Sequence, residues 1–175
     1  HGPYISLEEI TRKKELNRCA AITFDDGLED VYSIAYPFLK ERKIPFTAFV
    51  LSEKLDQPGY ITTEQLLEMA ADPLVTIGSH GTDHTKLSQA DEAKQRIELV
   101  ESKKQLESIL HKPCDYFAYP FGMYNDTTLR IAREAGYKNA YAVKGRPLLR
   151  WNQKEQYALP RLSIEDHTLV FYSRA

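Results

Sequence analysis

Short apolar segments alternate along the chain with amphipathic ones. The apolar segments are rich in β-branched and aromatic residues, which is typical of buried strands. They cover residues 19–24, 46–50, 74–79, 114–119, 138–143 and 158–164. Between them, apolar residues at helical spacing predict helices over residues 6–16, 31–43, 63–71, 88–110 and 125–136, with a short helix at the C-terminus. The alternation predicts an α/β fold, either a parallel sheet or a β/α barrel.

Polar residues that can cap helices mark where these helices are expected to begin. A side-chain oxygen at the N-cap accepts a hydrogen bond from a backbone N–H of the first turn, which has no partner within the helix. The candidate N-caps are Ser6, Thr63, Ser88, and either Asn125 or Asp126. Gly136 is suited to end the last long helix, because glycine adopts the left-handed backbone of a helix end without strain.

The bulk composition is that of an ordinary globular domain. The chain has 175 residues, of which 42% are hydrophobic and 27% charged. A chain of this length can bury a sizeable core, so we expect residues 1–175 to form a single domain. The formal net charge is −2, which gives no electrostatic reason to expect nucleic acid or an anionic membrane surface as a partner. Nothing in the composition predicts an oligomeric state.

Cysteine content and apolar run length bear on the compartment of the protein. Cys19 and Cys114 are too few for a disulfide framework and match no zinc-binding spacing. No apolar run approaches the ~20 residues that span a bilayer, so we expect no transmembrane segment in this chain. The chain begins with His1 rather than methionine, which leaves open whether it is part of a longer protein.

Potential catalytic and ligand residues follow three of the predicted strands. Asp25 and Asp26 come directly after the first strand, His80 and His84 after the third, and Pro120-Phe121-Gly122 after the fourth. In parallel α/β sheets and barrels, the active groups lie at the carboxyl ends of the strands. We therefore expect these residues to meet at one end of the sheet.

The two histidines and one of the aspartates have the composition of an open metal site. His80 and His84 are four residues apart, and two imidazoles with a carboxylate leave a coordination position free for water. The third ligand is expected to be Asp25 or Asp26. Two adjacent buried carboxylates repel each other unless a cation offsets them, which favours a metal site. The alternative interpretation is that the two aspartates form a solvated Asp-Asp-Gly turn at the surface. The ligands suit Zn²⁺, and they would also accept Co²⁺, Ni²⁺ or Fe²⁺.

These motifs resemble those of a known family. Thr23-Phe24-Asp25-Asp26-Gly27 together with the His80 to His84 segment looks like the polysaccharide deacetylase family, also called the NodB homology domain or carbohydrate esterase family 4. The segments 44–50 and 117–122 support the resemblance, which extends over residues 5–164. It implies a distorted (β/α) barrel of about six to seven strands, incomplete at its N-terminus if related chains begin earlier. It also implies removal of N-acetyl groups from N-acetylglucosamine polymers and favours a location outside the cytoplasm or at the cell envelope.

The resemblance also assigns roles to individual residues. It implies Asp26, His80 and His84 as metal ligands and Asp25 as the base for a water molecule at the metal. The backbone N–H of Phe121 is implied as a donor to the oxyanion, and one aimed N–H beside a metal can stabilise a tetrahedral intermediate by several kcal/mol.

The chain departs from the family pattern at two positions that concern chemistry. Ala118 occupies the position where the family has an arginine that pairs with the base. Arg161, at the end of a late strand, is our candidate replacement, and the alternative is that it forms a structural or surface ion pair. The general acid is expected in a Leu-x-His motif; the nearest match, 164–167, is one residue longer than that motif, and it makes His167 our candidate acid. In addition, Gly81 stands after the first histidine, where the family usually has Ser or Thr.

Three classes of function remain compatible with the residues alone. The first is a metal-dependent N-deacetylase, and the same scaffold could instead remove O-acetyl groups from a xylan-type polymer. The second is a non-catalytic carbohydrate-binding relative, suggested by Ala118 and by the departure from the Leu-x-His motif. The third is a metal phosphohydrolase or an aspartate phospho-acceptor that uses the acidic pair, but nothing after Gly27 resembles the Lys or the phosphate-binding Gly loop that it would need. Neither the polymer nor the metal is identified by the sequence.

Overall fold

A single parallel sheet organises the residues that the computed structural model describes, which are 3–12, 19–145, 147–148 and 153–164. Within these residues six strands lie side by side in chain order. They are β1 (Ile22–Phe24), β2 (Phe46–Val50), β3 (Val75–Ser79), β4 (Tyr116–Ala118), β5 (Asn139–Val143) and β6 (Leu159–Arg161). The sheet curls into a half-barrel, which confirms the predicted distorted (β/α) barrel.

Helices connect these strands, as the alternating pattern predicted. Those in the described part of the chain are α1 (Leu7–Arg12), α2 (Tyr36–Glu41), α3 (Thr63–Ala71), α4 (Glu92–Arg96), α5 (Ser102–Leu110) and α6 (Asp126–Glu134). Turns of π-helix, Val31–Ala35 and Ile97–Glu101, precede α2 and join α4 to α5. Ser6 and Asn125 accept the capping hydrogen bonds predicted for them, at 3.3 and 3.0 Å. The predicted C-terminal helix lies outside the described residues.

Two predicted caps are wrong. The N-cap of α3 is Thr62 rather than Thr63, because the hydroxyl and amide of Thr63 both bind the Asp56 carboxylate instead. The N-cap of α4 is Asp91 rather than Ser88, because Ser88 lies in the short 3₁₀ turn Leu87–Gln89 that comes before the helix. The actual cap is another polar residue in both cases, one position before Thr63 and three positions after Ser88.

The two faces of the sheet have different neighbours. On the outer face, α2, α3 and α5 pack against β2 and β3, and α6 packs against β4 and β5. Alternate residues of the same strands point to the inner face, where Leu7 of α1 packs among Phe49, Tyr116, Ala118, Tyr141 and Leu159. The inner face of the half-barrel is therefore filled by side chains rather than left open.

The strand ends set the position of the residues with candidate chemistry. Asp25 follows β1, His80 follows β3, and Arg161 ends β6. Because all six described strands are parallel, these residues emerge at the same edge of the sheet. None of the helices in the described residues is both long and apolar enough to cross a bilayer.

Candidate metal and catalytic site

The turn after β1 has an uncommon backbone conformation. Asp26 and Gly27 both have left-handed backbone conformations, with φ of 71° and 73°, which is uncommon for a residue other than glycine. A Cβ on Gly27 would lie 3.1 Å from Cγ1 of Val50. Glycine is therefore needed at position 27 for two reasons, the positive φ and the close approach to β2.

Asp26, His80 and His84 bring three donor atoms together. Oδ1 of Asp26 lies 3.4 Å from Nε2 of His80 and 3.3 Å from Nε2 of His84. This oxygen is buried, and it has no hydrogen-bond partner among the described residues. In tetrahedral zinc sites with bonds of about 2.0–2.1 Å, ligand atoms are separated by about 3.3 Å. The donor atoms of the three residues all lie within 4.8 Å of one another, so the residues fit a divalent metal.

A backbone carbonyl fixes the orientation of His80. The imidazole is buried, and its Nδ1 lies 2.8 Å from the carbonyl oxygen of Ala118. Because a carbonyl can only accept, Nδ1 must donate, and the lone pair is left on Nε2, which faces Asp26. Burial lowers the pKa of His80 more strongly than the neighbouring Asp25 and Asp26 raise it. The ring is thus held in the neutral form that metal ligation requires.

Asp25 is paired with an arginine from the far end of the chain. Nη1 and Nη2 of Arg161 donate to Oδ1 and Oδ2 of Asp25, each at 2.7 Å, and Nη1 also donates to the Thr23 hydroxyl at 3.0 Å. Burial raises the pKa of Asp25, but the Arg161 hydrogen bonds and the nearby histidines outweigh it, so the pKa lies below its usual value. Oδ2 is 3.9 Å from Nε2 of His80, which places an ionised carboxylate beside the triad.

Phe121 lies on the open side of the histidines. Its ring contacts that of His84 with a centroid distance of 4.4 Å and remains 54% exposed. The backbone at Phe121 is left-handed, with φ of 57°, and a Cβ on the following Gly122 would lie 2.9 Å from the backbone nitrogen of Val143. The turn is thus pressed against the end of β5, and the Phe121 ring packs against His84.

The structure brings six of the seven candidate residues together and leaves one outside. His167 lies beyond the described residues, so its role as an acid stays a prediction. Sequence reasoning missed the contribution of Ala118, which was noted only for the side chain that it lacks. Its carbonyl orients His80, and no residue pattern could have revealed this, because every residue type carries the same carbonyl.

Comparison with known proteins identifies relatives of this chain. Residues 12–140 match the family model described as polysaccharide deacetylase. A Bacillus subtilis (strain 168) protein, YxkH, whose name also refers to polysaccharide deacetylases, is 34% identical over 159 residues, covering 91% of this chain and 56% of its own length. The poly-beta-1,6-N-acetyl-D-glucosamine N-deacetylase of Staphylococcus aureus (strain MSSA476) is 30% identical over 180 residues, covering 93% of this chain and 61% of its own length.

A solved structure extends the likeness to three dimensions. The Streptococcus pyogenes deacetylase PplD, in complex with acetate, superposes with a TM-score of 0.83 at 29% sequence identity. The match covers 94% of this chain and 74% of that chain. By contrast, this chain spans less than two thirds of the length of the two curated relatives above.

Proposed function

The chain belongs to the polysaccharide deacetylase family, and we propose that it is a metal-dependent hydrolase that removes N-acetyl groups from an N-acetylglucosamine polymer. One observation carries the metal dependence. The buried Oδ1 of Asp26 faces two imidazole nitrogens and has no hydrogen-bond partner among the described residues. A buried carboxylate oxygen in this state is costly unless a cation balances it.

Asp26, His80 and His84 are the residues that would hold the metal. Zn²⁺ is our first choice, because two imidazoles and one carboxylate with an open position are its usual catalytic ligands, whereas Co²⁺, Ni²⁺ and Fe²⁺ accept the same set. When bound, the metal supplies Lewis acidity that polarises the acetamide carbonyl and activates water.

Asp25 is the proposed base. Arg161 occupies one side of each carboxylate oxygen, and an ionised carboxylate oxygen has a second lone pair free to accept a proton. Since Oδ2 lies 3.9 Å from Nε2 of His80, the accepting oxygen is beside the metal ligands. The pKa of Asp25 is lowered, so the carboxylate is ionised and ready to accept a proton at neutral pH.

The remaining steps assign the bonds that form and break. The oxygen of the water bonds to the acetyl carbon while Asp25 takes a proton from the water. The carbonyl oxygen becomes an oxyanion in this step, and the backbone N–H of Phe121 donates a hydrogen bond to this oxygen. The C–N bond then breaks, and the nitrogen takes up a proton, so that acetate and a free amino sugar result. His167 is proposed as the source of that proton on the basis of its motif position alone.

The relatives suggest which substrate to test first. The Staphylococcus aureus relative is named for a β-1,6-linked N-acetylglucosamine polymer, and the Streptococcus pyogenes structure holds acetate, which is the product of deacetylation. We therefore propose an N-acetylglucosamine polymer, with the β-1,6-linked form as the first candidate. We also propose that the protein acts outside the cytoplasm or at the cell envelope, which cell fractionation would test.

Acetate release is the decisive measurement. The metal-loaded protein is incubated with oligomers of β-1,6-linked N-acetylglucosamine, with chitin oligomers and with acetylated xylan, and acetate is quantified. We expect acetate from an N-acetylglucosamine oligomer, released about 10²–10⁴-fold more slowly when Asp25→Asn replaces the wild type. Acetate from xylan alone would indicate an O-acetyl esterase. Binding of an oligomer without acetate from any substrate would indicate a non-catalytic relative.

A further inference from the structure

A buried carboxylate outside the candidate site contacts the loop between the two histidines. Glu98 belongs to the π-helical turn between α4 and α5 and is fully buried. Its Oε2 accepts a hydrogen bond from the backbone N–H of Thr82 at 2.7 Å, and its Oε1 accepts one from the Thr82 hydroxyl at 2.8 Å. The N–H of Asp83 is 3.4 Å from the same Oε2. One side chain thus binds two of the three residues that separate His80 from His84.

A lysine on the same helical run balances the charge of Glu98. Nζ of Lys94 lies 2.6 Å from Oε1 of Glu98 and 2.8 Å from Oδ2 of Asp83. A buried carboxylate without such a partner would be strongly disfavoured. The helix therefore offers the loop a hydrogen-bond acceptor that is paired with a lysine, and the same lysine makes a second contact with the loop at Asp83.

The close approach of Glu98 also explains the residue at position 81. Gly81 has φ of 95°, and a Cβ added there would lie 2.5 Å from Oε2 of Glu98. A residue with a side chain at position 81 would therefore displace either the carboxylate or the loop. The N–H of Gly81 is bound on its other side by the Ser79 hydroxyl at 3.2 Å, which in turn contacts the Ser102 hydroxyl at 2.8 Å.

We propose that Glu98 is a positioning residue for the metal centre. It fixes the backbone of residues 81–83 and so sets the separation between Nε2 of His80 and Nε2 of His84. His84 depends on this most, because its side chain is 30% exposed and its backbone is left-handed, with φ of 71°, so the preceding loop determines where its ring lies. The inference rests on the proposed function, since it assigns Glu98 a role towards the same metal.

Metal affinity distinguishes this role from a purely structural one. The dissociation constant for Zn²⁺ is measured by competition with a chromophoric chelator for the wild type, Glu98→Gln and Thr82→Val, at a temperature where circular dichroism shows each to be folded. Glu98→Gln keeps the shape but must direct an amide NH₂ towards Lys94 or Thr82. We expect its Zn²⁺ affinity to fall roughly 10–100-fold, as for other residues that orient metal ligands, and that of Thr82→Val to fall less.

Glu92→Gln is the matched control. Glu92 is a half-exposed glutamate on the same helical run that pairs with Arg96 and Arg130, so its neutralisation removes ion pairs without touching the loop. Its Zn²⁺ affinity is expected to stay within twofold of the wild type. Equal affinities for Glu98→Gln and Glu92→Gln would overturn the inference. If Glu98→Gln does not fold, Thr82→Val decides, since it loses only the hydroxyl that contacts Oε1.

Amide exchange in the metal-free protein separates failure of this inference from failure of the proposed function. We expect the amides of Thr82 and Asp83 to exchange at least tenfold faster in Glu98→Gln, with those of β2 unchanged. Unchanged exchange at both amides, or faster exchange with unchanged Zn²⁺ affinity, would overturn the inference. If the wild type binds no metal, the proposed function is wrong, and exchange at Thr82 and Asp83 still decides whether Glu98 holds the loop.

Discussion

Arg161 and Asp25 form an ion pair with two parallel hydrogen bonds, each 2.7 Å long, although they are 136 residues apart in sequence. Arg161 ends β6 and Asp25 follows β1, so the pair joins the first and last strands of the six-stranded order. The guanidinium also lies over the Phe49 ring, with Cζ 5.2 Å from its centroid. At Ala118, where the family would supply an arginine, the chain contributes only a carbonyl to the site.

The first prediction concerns the pH dependence of activity. Arg161→Met removes the hydrogen bonds and charge that lower the pKa of Asp25, and burial then acts to raise that pKa. A base with a higher pKa is protonated at higher pH, so the acid limb of the kcat/KM profile should move to higher pH. The measurement is a pH–rate profile with the metal content determined at each pH, so that loss of metal is not mistaken for protonation of Asp25.

Arg161→Lys is the companion variant for that experiment. A lysine keeps the positive charge but cannot reproduce the paired hydrogen bonds of a guanidinium. We expect an acid limb between those of the wild type and Arg161→Met. If all three profiles coincide, Arg161 is a structural ion-pair residue rather than the partner of the base.

The second prediction separates the base from the metal ligands. Asp25→Asn removes the proton acceptor but none of the atoms of the Asp26, His80 and His84 triad. Its metal content should equal that of the wild type, whereas kcat falls by about 10²–10⁴-fold. His80→Ala should lose metal and activity together. Metal analysis of both purified variants checks the assignment, and loss of metal in Asp25→Asn would show that Asp25 is itself a ligand.

The third prediction concerns the glycine after the two aspartates. Gly27→Ala introduces a Cβ 3.1 Å from Val50 Cγ1 at a positive φ, whereas Gly59→Ala introduces one into open space at a φ of 86°. The Gly59 variant should lose only about 1–2 kcal/mol of unfolding free energy, the strain of a left-handed residue. The Gly27 variant should lose more and also bind Zn²⁺ more weakly, because Asp26 must move.

Denaturant unfolding and chelator competition measure the two effects of the glycine variants. Equal losses of stability at the two positions would mean that Val50 yields to the new methyl group. Unchanged Zn²⁺ affinity in Gly27→Ala would show that the turn is not needed to place Asp26.

The fourth prediction concerns the N-caps of α3 and α4. Thr62→Ala removes the hydroxyl that accepts from the Gln65 N–H at 3.2 Å, and loss of an N-cap of this kind typically lowers the unfolding free energy by about 1 kcal/mol. Ser88→Ala should lower it far less, because Asp91 caps α4. Urea unfolding of both variants decides, and a larger loss at Ser88 would contradict the cap assignments.

Much of the fold was predictable because its signals are local. Short runs of β-branched and aromatic residues predicted the strands, and apolar residues at helical spacing between these runs predicted the helices. The cap of α3 was not predictable in this way, because Thr62 and Thr63 have the same hydroxyl group. Asp56 binds the hydroxyl of Thr63, so Thr62 is the residue that caps α3. The long helical run could be predicted, but its π-turn, which carries Glu98 to the loop, could not.

The sequence by itself determined the parallel α/β architecture and the residue types of a metal site, because both follow from spacing along the chain. Residue spacing left open whether Asp25 or Asp26 faces the histidines, and only the family resemblance implied Asp26. Only the tertiary structure directed Oδ1 of Asp26 to the two imidazoles and paired Asp25 with Arg161. Left-handed turns and contacts between distant strands position these side chains. The free energies of such contacts depend on distances in three dimensions, which the order of residues along the chain does not give.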